Sequence, residues 1–146
     1  MKIIAAEFVT SAAAGGSQEG IPRDGLPQVA FAGRSNVGKS ALINALCRRQ
    51  VARTSAAPGK TRLANVYRVV VERARGAREA LYLIDLPGYG YARGGSDSAK
   101  ELAAVAEGYM SAQGAVGSRI PHPGTRALLA VDSRHPGLES DRQAFE

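Results

Sequence analysis

The chain has 146 residues, of which 45% are hydrophobic and 22% charged, and this predicts one folded domain rather than a disordered chain. No run of about 18 apolar residues is present, and an acid at position 7 comes too early for a secretory signal, so we expect a cytoplasmic protein without a membrane span. The net charge of +6 suits a phosphate-rich partner but does not select one by itself.

The first half of the chain predicts two strands and a helix. Residues 3–10 predict a short strand, and residues rich in Ala, Gly and Ser connect it to the next element. Residues 29–32 form an apolar run typical of a buried strand, and residues 41–46 predict a helix that ends near Arg48. The single cysteine, Cys47, excludes an internal disulfide and is predicted to be a small buried residue of this helix, with a reactive thiol as the alternative.

Between that strand and that helix lies Gly-Arg-Ser-Asn-Val-Gly-Lys-Ser, residues 33–40, which matches a phosphate-binding loop. Gly33 and Gly38 allow a tight turn, so that backbone N–H groups and the positive end of the helix converge on phosphate oxygens. Lys39 is predicted to reach the β and γ phosphates. Ser40 is predicted to offer its hydroxyl to a magnesium ion between them.

Further along, residues 52–61 predict a loop, and residues 65–71 and 80–84 predict two strands joined by a hairpin turn. The second of these strands leads into Asp85-Leu86-Pro87-Gly88. Asp85 is predicted to hold magnesium through a water, and the Gly88 N–H to sense the γ phosphate. A plain Asp-Pro-Gly turn is the alternative, which the upstream phosphate loop makes the weaker one.

The last part of the chain continues the alternation of strands and helices. Residues 89–95 predict a glycine-rich loop, 99–113 a helix, 114–124 a loop and 127–131 a buried strand, and a helix starts at 138. Buried strands alternating with helices predict an α/β phosphate-loop (P-loop NTPase) domain over residues 1–146, with a mostly parallel sheet between two helical layers.

Five segments resemble the EngB-type GTPases, in that family's order: residues 7–11, 26–40, 58–61, 85–92 and 131–135. The resemblance implies binding of GTP and GDP with Mg²⁺, GTP hydrolysis, and docking on the ribosomal RNA of the large ribosomal subunit. It also implies a role in ribosome assembly on which normal cell division and septation depend. We expect a monomer with no membrane partner.

The resemblance also assigns the site residues. The phosphate loop comprises Gly33, Arg34, Ser35, Asn36, Val37, Gly38, Lys39 and Ser40; the first switch Gly59, Lys60, Thr61, Arg62 and Leu63; the second switch Asp85, Leu86, Pro87 and Gly88. Thr61 is implied to bind magnesium together with Ser40 and Asp85, although from the residues alone it is one threonine in a loop. Basic residues flank this loop and predict either an RNA contact or a solvated face: Arg48, Arg49, Arg53, Lys60 and Arg62.

Catalysis is expected to involve Lys39, Thr61 and Asn36. Many GTPases orient the attacking water with a Gln after the second-switch glycine, but here that residue is Tyr89, which has no amide. Related GTPases with Asn at the position of Asn36 hold a potassium ion beside the phosphates. The alternatives are an arginine finger, from Arg34 or Arg93, or an Asn36 that only caps its own turn.

The guanine-reading motif Asn/Thr-Lys-x-Asp is absent, because none of the four lysines has Asp two positions later. The triplet at residues 98–100 precedes the 127–131 strand and is interpreted as a helix start. We therefore expect a C-terminally truncated chain, with guanine selectivity reduced and the 127–131 strand at an open edge of the sheet. A P-loop ATPase, a nucleotide kinase and an inactive ribosome-binding fragment are the alternatives. The order of residues 58–61 and 85–88 favours the GTPase.

Overall fold

The computed structural model describes residues 1–12, 20–52, 63–89, 109 and 126–143. Seven helices and strands lie in these ranges: β1 (Lys2–Ala12), β2 (Gln28–Gly33), α1 (Lys39–Cys47), β3 (Ala64–Glu72), β4 (Arg78–Asp85), β5 (Arg126–Ala130) and α2 (Glu139–Gln143). A 3-10 turn, Ala74–Gly76, joins β3 to β4. Each of these strands and helices corresponds to one that the sequence predicts, with ends that differ by a few residues.

The five strands form one sheet in the order β1-β3-β4-β2-β5. β2 runs parallel to β4 on one side and to β5 on the other, whereas β1 with β3 and β3 with β4 are antiparallel. The P-loop α/β fold is confirmed, with a sheet that is mixed because the β3–β4 hairpin and β1 occupy one half of it. β2 lies inside the sheet, and β5 forms an edge of the described sheet, as predicted for residues 127–131.

The core covers both faces of the sheet because neighbouring residues of a strand point to opposite sides. On one face, Phe31 packs with Ile43 and Cys47 of α1, which are four residues apart and therefore on one side of the helix. On the other face, Ala30 packs with Leu86 and Tyr109. Burial on both faces fixes β2, and with it the start of the phosphate loop.

Several predictions fall on residues outside the described ranges. These include most of the loop at 52–61, the loops at 90–95 and 114–124, and, apart from the buried and helical Tyr109, the helix at 99–113. The arginines at 53, 62 and 93 and the triplet at 98–100 also lie there. Among the described residues, no helix is both long and apolar enough to cross a bilayer.

The side chain of Asn44 in α1 ties down the chain that leaves this helix. Its Oδ1 accepts hydrogen bonds from the N–H groups of Val51 at 2.9 Å and Ala52 at 2.8 Å. Its Nδ2 donates to the Ala52 carbonyl at 2.9 Å, and Ala52 is 1% exposed. Asn44 therefore fixes the point from which residues 53–62 depart.

Replacing Asn44 by Ala is expected to lower the free energy of unfolding by about 1–3 kcal/mol, because two N–H groups and a carbonyl lose their partner. Denaturant titration of Asn44→Ala measures this. Asn44→Asp is the matched variant, since it keeps the acceptor oxygen and loses only the donor, and it should lie between the wild type and Asn44→Ala. A midpoint unchanged in Asn44→Ala would contradict the assignment.

Candidate nucleotide-binding site

The loop between β2 and α1 has a backbone that two glycines make possible. Gly33 has φ +150°, and a Cβ built there would lie 2.6 Å from the Ala130 carbonyl oxygen, so only glycine fits between β2 and β5 at this point. Gly38 caps the N-terminus of α1 with φ 104°. The result is the tight strand-to-helix turn that the motif predicts, with the positive end of α1 at its centre.

Lys39 is folded back along this loop. Its Nζ donates to the Gly33 carbonyl at 2.9 Å and to the Arg34 carbonyl at 3.1 Å, and the residue is 7% exposed. Burial lowers the pKa of Lys39, and the nearby Asp85 charge opposes that shift. The ammonium therefore both holds the loop and places a positive charge beside it.

Ser40 and Asp85 join the two motifs. The Ser40 hydroxyl donates to Asp85 Oδ2 at 2.7 Å, although the residues are 45 positions apart. Asp85 is 2% exposed, and burial raises the pKa of its carboxyl while the Ser40 hydrogen bond and the Lys39 charge lower it. The register of β2 with β4 produces this contact, because both strands end at the same edge of the sheet.

This pair of oxygens fits magnesium. Among the described residues, no group of three or more His, Cys, Asp or Glu side chains could hold a metal ion. Mg²⁺ in nucleotide sites uses one or two carboxylates or hydroxyls together with phosphate oxygens and water, and needs no such cluster. Ser40 and Asp85 would be its ligands from this part of the chain, and Thr61 lies outside the described residues.

The second-switch motif rests directly on the phosphate loop. A Cβ built at Gly88 would lie 2.6 Å from both Cα and N of Ser35. The Ser35 N–H donates to the Tyr89 carbonyl at 2.9 Å, and its hydroxyl donates to the Gly88 carbonyl at 3.0 Å. The structure thus brings Gly88 into contact with the loop that the sequence predicts to hold the phosphates.

Replacing Gly88 by Ala is expected to destabilise the protein by about 1–3 kcal/mol, because the new methyl group meets backbone atoms that cannot rotate away. It should also weaken binding of a nucleoside triphosphate, since Gly88 must move off the phosphate loop. Thermal melting and titration with a nonhydrolysable GTP analogue test both effects. If Gly88→Ala melted at the same temperature as the wild type, the phosphate loop would accommodate a side chain at this position, against the prediction.

Asn36 adopts a left-handed conformation with φ 64°, and its side chain is exposed. Asparagine tolerates this conformation better than most residues, which is one reason for its presence. Within the described part of the chain its amide makes no hydrogen bond, so the structure does not show the turn-capping contact considered above.

Most of the predicted first switch falls outside the part of the chain that the structure describes. Gly59, Lys60, Thr61 and Arg62 lie outside the described residues, and Leu63 is 38% exposed. His135 is exposed and lies in a turn. In this turn the Arg134 guanidinium donates two hydrogen bonds, of 3.0 and 2.8 Å, to the Asp132 carboxylate. This contact holds the pKa of the Asp132 carboxyl well below its usual range.

Two polar residues that tie separate segments of the chain together were not found from the sequence. Asn44 is a mid-helix asparagine, and Asp141 is an acid in the first turn of α2. An acid in the first turn of a helix is common for local reasons, whereas asparagine is unfavourable inside a helix. For both residues the role becomes visible only through the hydrogen-bond partners. The signal in the sequence for Asn44 is its place inside a predicted helix, where this residue type needs a reason.

These features define a P-loop nucleotide-binding protein: a tight turn that requires glycines, a buried lysine, and a serine hydrogen-bonded to an aspartate of the neighbouring strand. The family model described as "50S ribosome-binding GTPase" matches residues 28–118. The chain belongs to this family of GTPases and, within it, to the EngB proteins, as the following comparisons show.

Curated relatives named "Probable GTP-binding protein EngB" match almost the whole chain. The protein of Chlorobaculum tepidum is 41% identical over 100% of this chain and 67% of its own length. Those of Heliobacterium modesticaldum and Symbiobacterium thermophilum are 45% and 42% identical over 97% and 93% of this chain, and 60% and 65% of their own lengths. The chain thus spans about two thirds of the length of these relatives.

Proposed function

We propose that this chain binds GTP and GDP through its phosphate loop, and that the protein hydrolyses GTP as a cytoplasmic switch in assembly of the large ribosomal subunit. The observation that carries this proposal is the contact of both second-switch residues with the loop, Asp85 with Ser40 and Gly88 with Ser35. A site that senses the γ phosphate needs this contact, because the switch must report which nucleotide the loop holds. The name of the EngB relatives, GTP-binding protein, supports GTP as the ligand.

In this proposal the residues have separate tasks. The backbone N–H groups of the loop and the ammonium of Lys39 bind the phosphates, and Gly88 contacts the γ phosphate through its N–H. Ser40 and Asp85, with Thr61 from the first switch, would hold Mg²⁺. When bound, the ion neutralises charge on the β and γ phosphates during transfer.

Potassium is the second cation in the proposal. Asn36 offers an exposed amide oxygen that lacks a hydrogen bond within the described residues, at the point of the loop where a cation would lie beside the β and γ phosphates. The bound ion would supply the positive charge that an arginine finger supplies elsewhere. Tyr89 cannot orient the attacking water through an amide, so catalysis needs a contribution from another group.

The ribosomal part of the proposal is supported by the family description and by charge. Arg48 and Arg49 at the end of α1 are exposed, and the chain carries a net charge of +6. Such residues bind RNA phosphates with a strong salt dependence. We propose a monomer that docks on the RNA of the large subunit, and defects in division and septation would follow from the supply of ribosomes.

Competition between GTP and ATP tests the nucleotide. The product of the whole reading frame is loaded with a fluorescent GDP, and unlabelled GTP or ATP displaces it. Displacement by GTP at lower concentration is expected, and displacement by ATP at lower concentration would favour the ATPase or kinase alternative. Sedimentation with purified large subunits, with the GTP analogue or with GDP, tests the partner, and equal absence of binding in both states would overturn it.

A further inference from the structure

A hydroxyl and a carboxylate form a pair beside the phosphate loop, outside the residues that the motifs assign to the nucleotide. The Tyr89 hydroxyl donates to Asp141 Oδ1 at 2.7 Å, across 52 positions of sequence. Asp141 belongs to α2 and is 4% exposed. Since Tyr89 directly follows Gly88, this hydrogen bond joins the second-switch motif to a helix that is not part of the site.

Tyr89 is held at both ends. Its carbonyl accepts a hydrogen bond from the Ser35 N–H at 2.9 Å, and residues 34 and 89 form a short parallel bridge. Its hydroxyl is held by Asp141 at the other end. Burial and the hydrogen bond to Asp141 raise the pKa of Tyr89, so the hydroxyl stays protonated and donates at neutral pH.

The surroundings of this pair are not those of simple packing. Asp141 Oδ2 and Arg34 Nε are buried and have no hydrogen-bond partner among the described residues. Arg34 is paired with Tyr89 in the short bridge, and its charge lowers the pKa of the Tyr89 hydroxyl while burial and Asp141 raise it. Unpartnered buried polar atoms are uncommon and costly, and an apolar side chain would fill the position without that cost. A carboxylate at position 141 therefore indicates a role besides packing.

We propose that the Tyr89–Asp141 hydrogen bond is a tether that keeps Gly88 on the phosphate loop, and that Asp141 is thereby a positioning residue for the contact between the Gly88 N–H and the terminal phosphate of a nucleoside triphosphate. This inference rests on the proposed function in that Gly88 is taken to sense that phosphate. A segment that is already ordered loses less conformational freedom when the triphosphate binds. The tether therefore raises the affinity for triphosphates and leaves that for diphosphates unchanged.

The test removes one oxygen atom. In the product of the whole reading frame, Tyr89→Phe keeps the ring and the backbone bonds and loses only the hydroxyl. Affinities for GDP, ADP and the nonhydrolysable analogues of GTP and ATP are measured by calorimetry. The ratio of triphosphate to diphosphate affinity is expected to fall about tenfold, the effect of losing one hydrogen bond to a charged group, with diphosphate affinity unchanged.

The chain supplies a matched control. The Tyr82 hydroxyl also donates to a carboxylate, Asp24 Oδ2, at 2.7 Å, but this pair makes no hydrogen bond to the phosphate loop within the described residues. Tyr82→Phe should leave the ratio unchanged. An equal fall of the ratio in Tyr82→Phe, an unchanged ratio in Tyr89→Phe, or an equal loss of both affinities in Tyr89→Phe would overturn the tether.

Variants of the carboxylate complete the experiment. Asp141→Asn keeps an oxygen that accepts from Tyr89 and should retain most of the wild-type ratio, whereas Asp141→Leu should reproduce Tyr89→Phe. The double variant that combines Tyr89→Phe with Asp141→Leu should lose no more than either single one, because both substitutions remove the same bond. If the wild type prefers adenine nucleotides, the proposed function fails, while the ratio measured with ATP analogue and ADP still decides the tether.

Discussion

Replacing Lys39 by Met is expected to lower the affinity for GDP about 100-fold or more and to leave the protein folded. The ammonium is the one lysine charge placed at the loop among the described residues, and it is 7% exposed. Burying an ammonium is costly, which its lowered pKa reflects, and a methionine of similar length removes that cost. The carbonyls of Gly33 and Arg34 lose a donor in the variant, so the two effects oppose each other and the protein should stay folded. The Lys39→Met variant should therefore lose affinity for GDP while it remains folded.

Calorimetric titration with GDP and a thermal melt check both parts of this prediction. Lys2→Met is the matched control: Lys2 Nζ lies 3.2 Å from Glu72 Oε2, and its side chain is 62% exposed. An exposed ion pair contributes about 0–1 kcal/mol, so this variant should match the wild type in both measurements. GDP affinity within about threefold of the wild type in Lys39→Met would contradict the role of Lys39.

The second large effect concerns potassium. Turnover of GTP by the product of the whole reading frame is expected to be about 100-fold faster in potassium chloride than in sodium chloride at equal ionic strength. The informative variant is Asn36→Gly, because residue 36 has φ 64°, a conformation that glycine adopts freely and alanine does not. Asn36→Ala would mix loss of the amide with backbone strain.

Asn36→Gly should bind GDP nearly as the wild type does and should turn over GTP at the same low rate in both salts. Equal rates in the two salts for the wild type would remove potassium from the mechanism. If Asn36→Gly kept the full potassium response, the Asn36 side chain would have no role in binding the ion. Asparagine at this position would then serve only the left-handed backbone conformation. Titration with GDP under both salts separates a loss of binding from a loss of turnover.

Much of the fold followed from periodicity in the sequence. Residues 29–32 and 80–84 are continuous apolar runs, and such runs are typical of strands that are buried on both faces. The bounds of the strands differ from the predicted ones: β1 reaches from Lys2 to Ala12, beyond the predicted residues 3–10, because pairing with β3 extends it. The predicted sheet was mostly parallel, whereas two of the four strand pairs described are antiparallel. The order of the strands, and so the balance of parallel and antiparallel pairs, depends on contacts between distant segments, which no local pattern encodes.

For the site, the sequence by itself determined which atoms are available: two glycines that permit the turn, one lysine, one hydroxyl and one carboxylate, at spacings that only a phosphate loop and its switch combine. Only the tertiary structure decided that the Ser40 hydroxyl donates a hydrogen bond of 2.7 Å to Asp85 Oδ2, and that the Tyr89 hydroxyl donates to Asp141 Oδ1. The physical reason is the separation in sequence over which each kind of interaction acts. Backbone conformation and hydrophobic periodicity act over a few residues, whereas these hydrogen bonds join residues 45 and 52 positions apart, and strand register and helix packing bring them together.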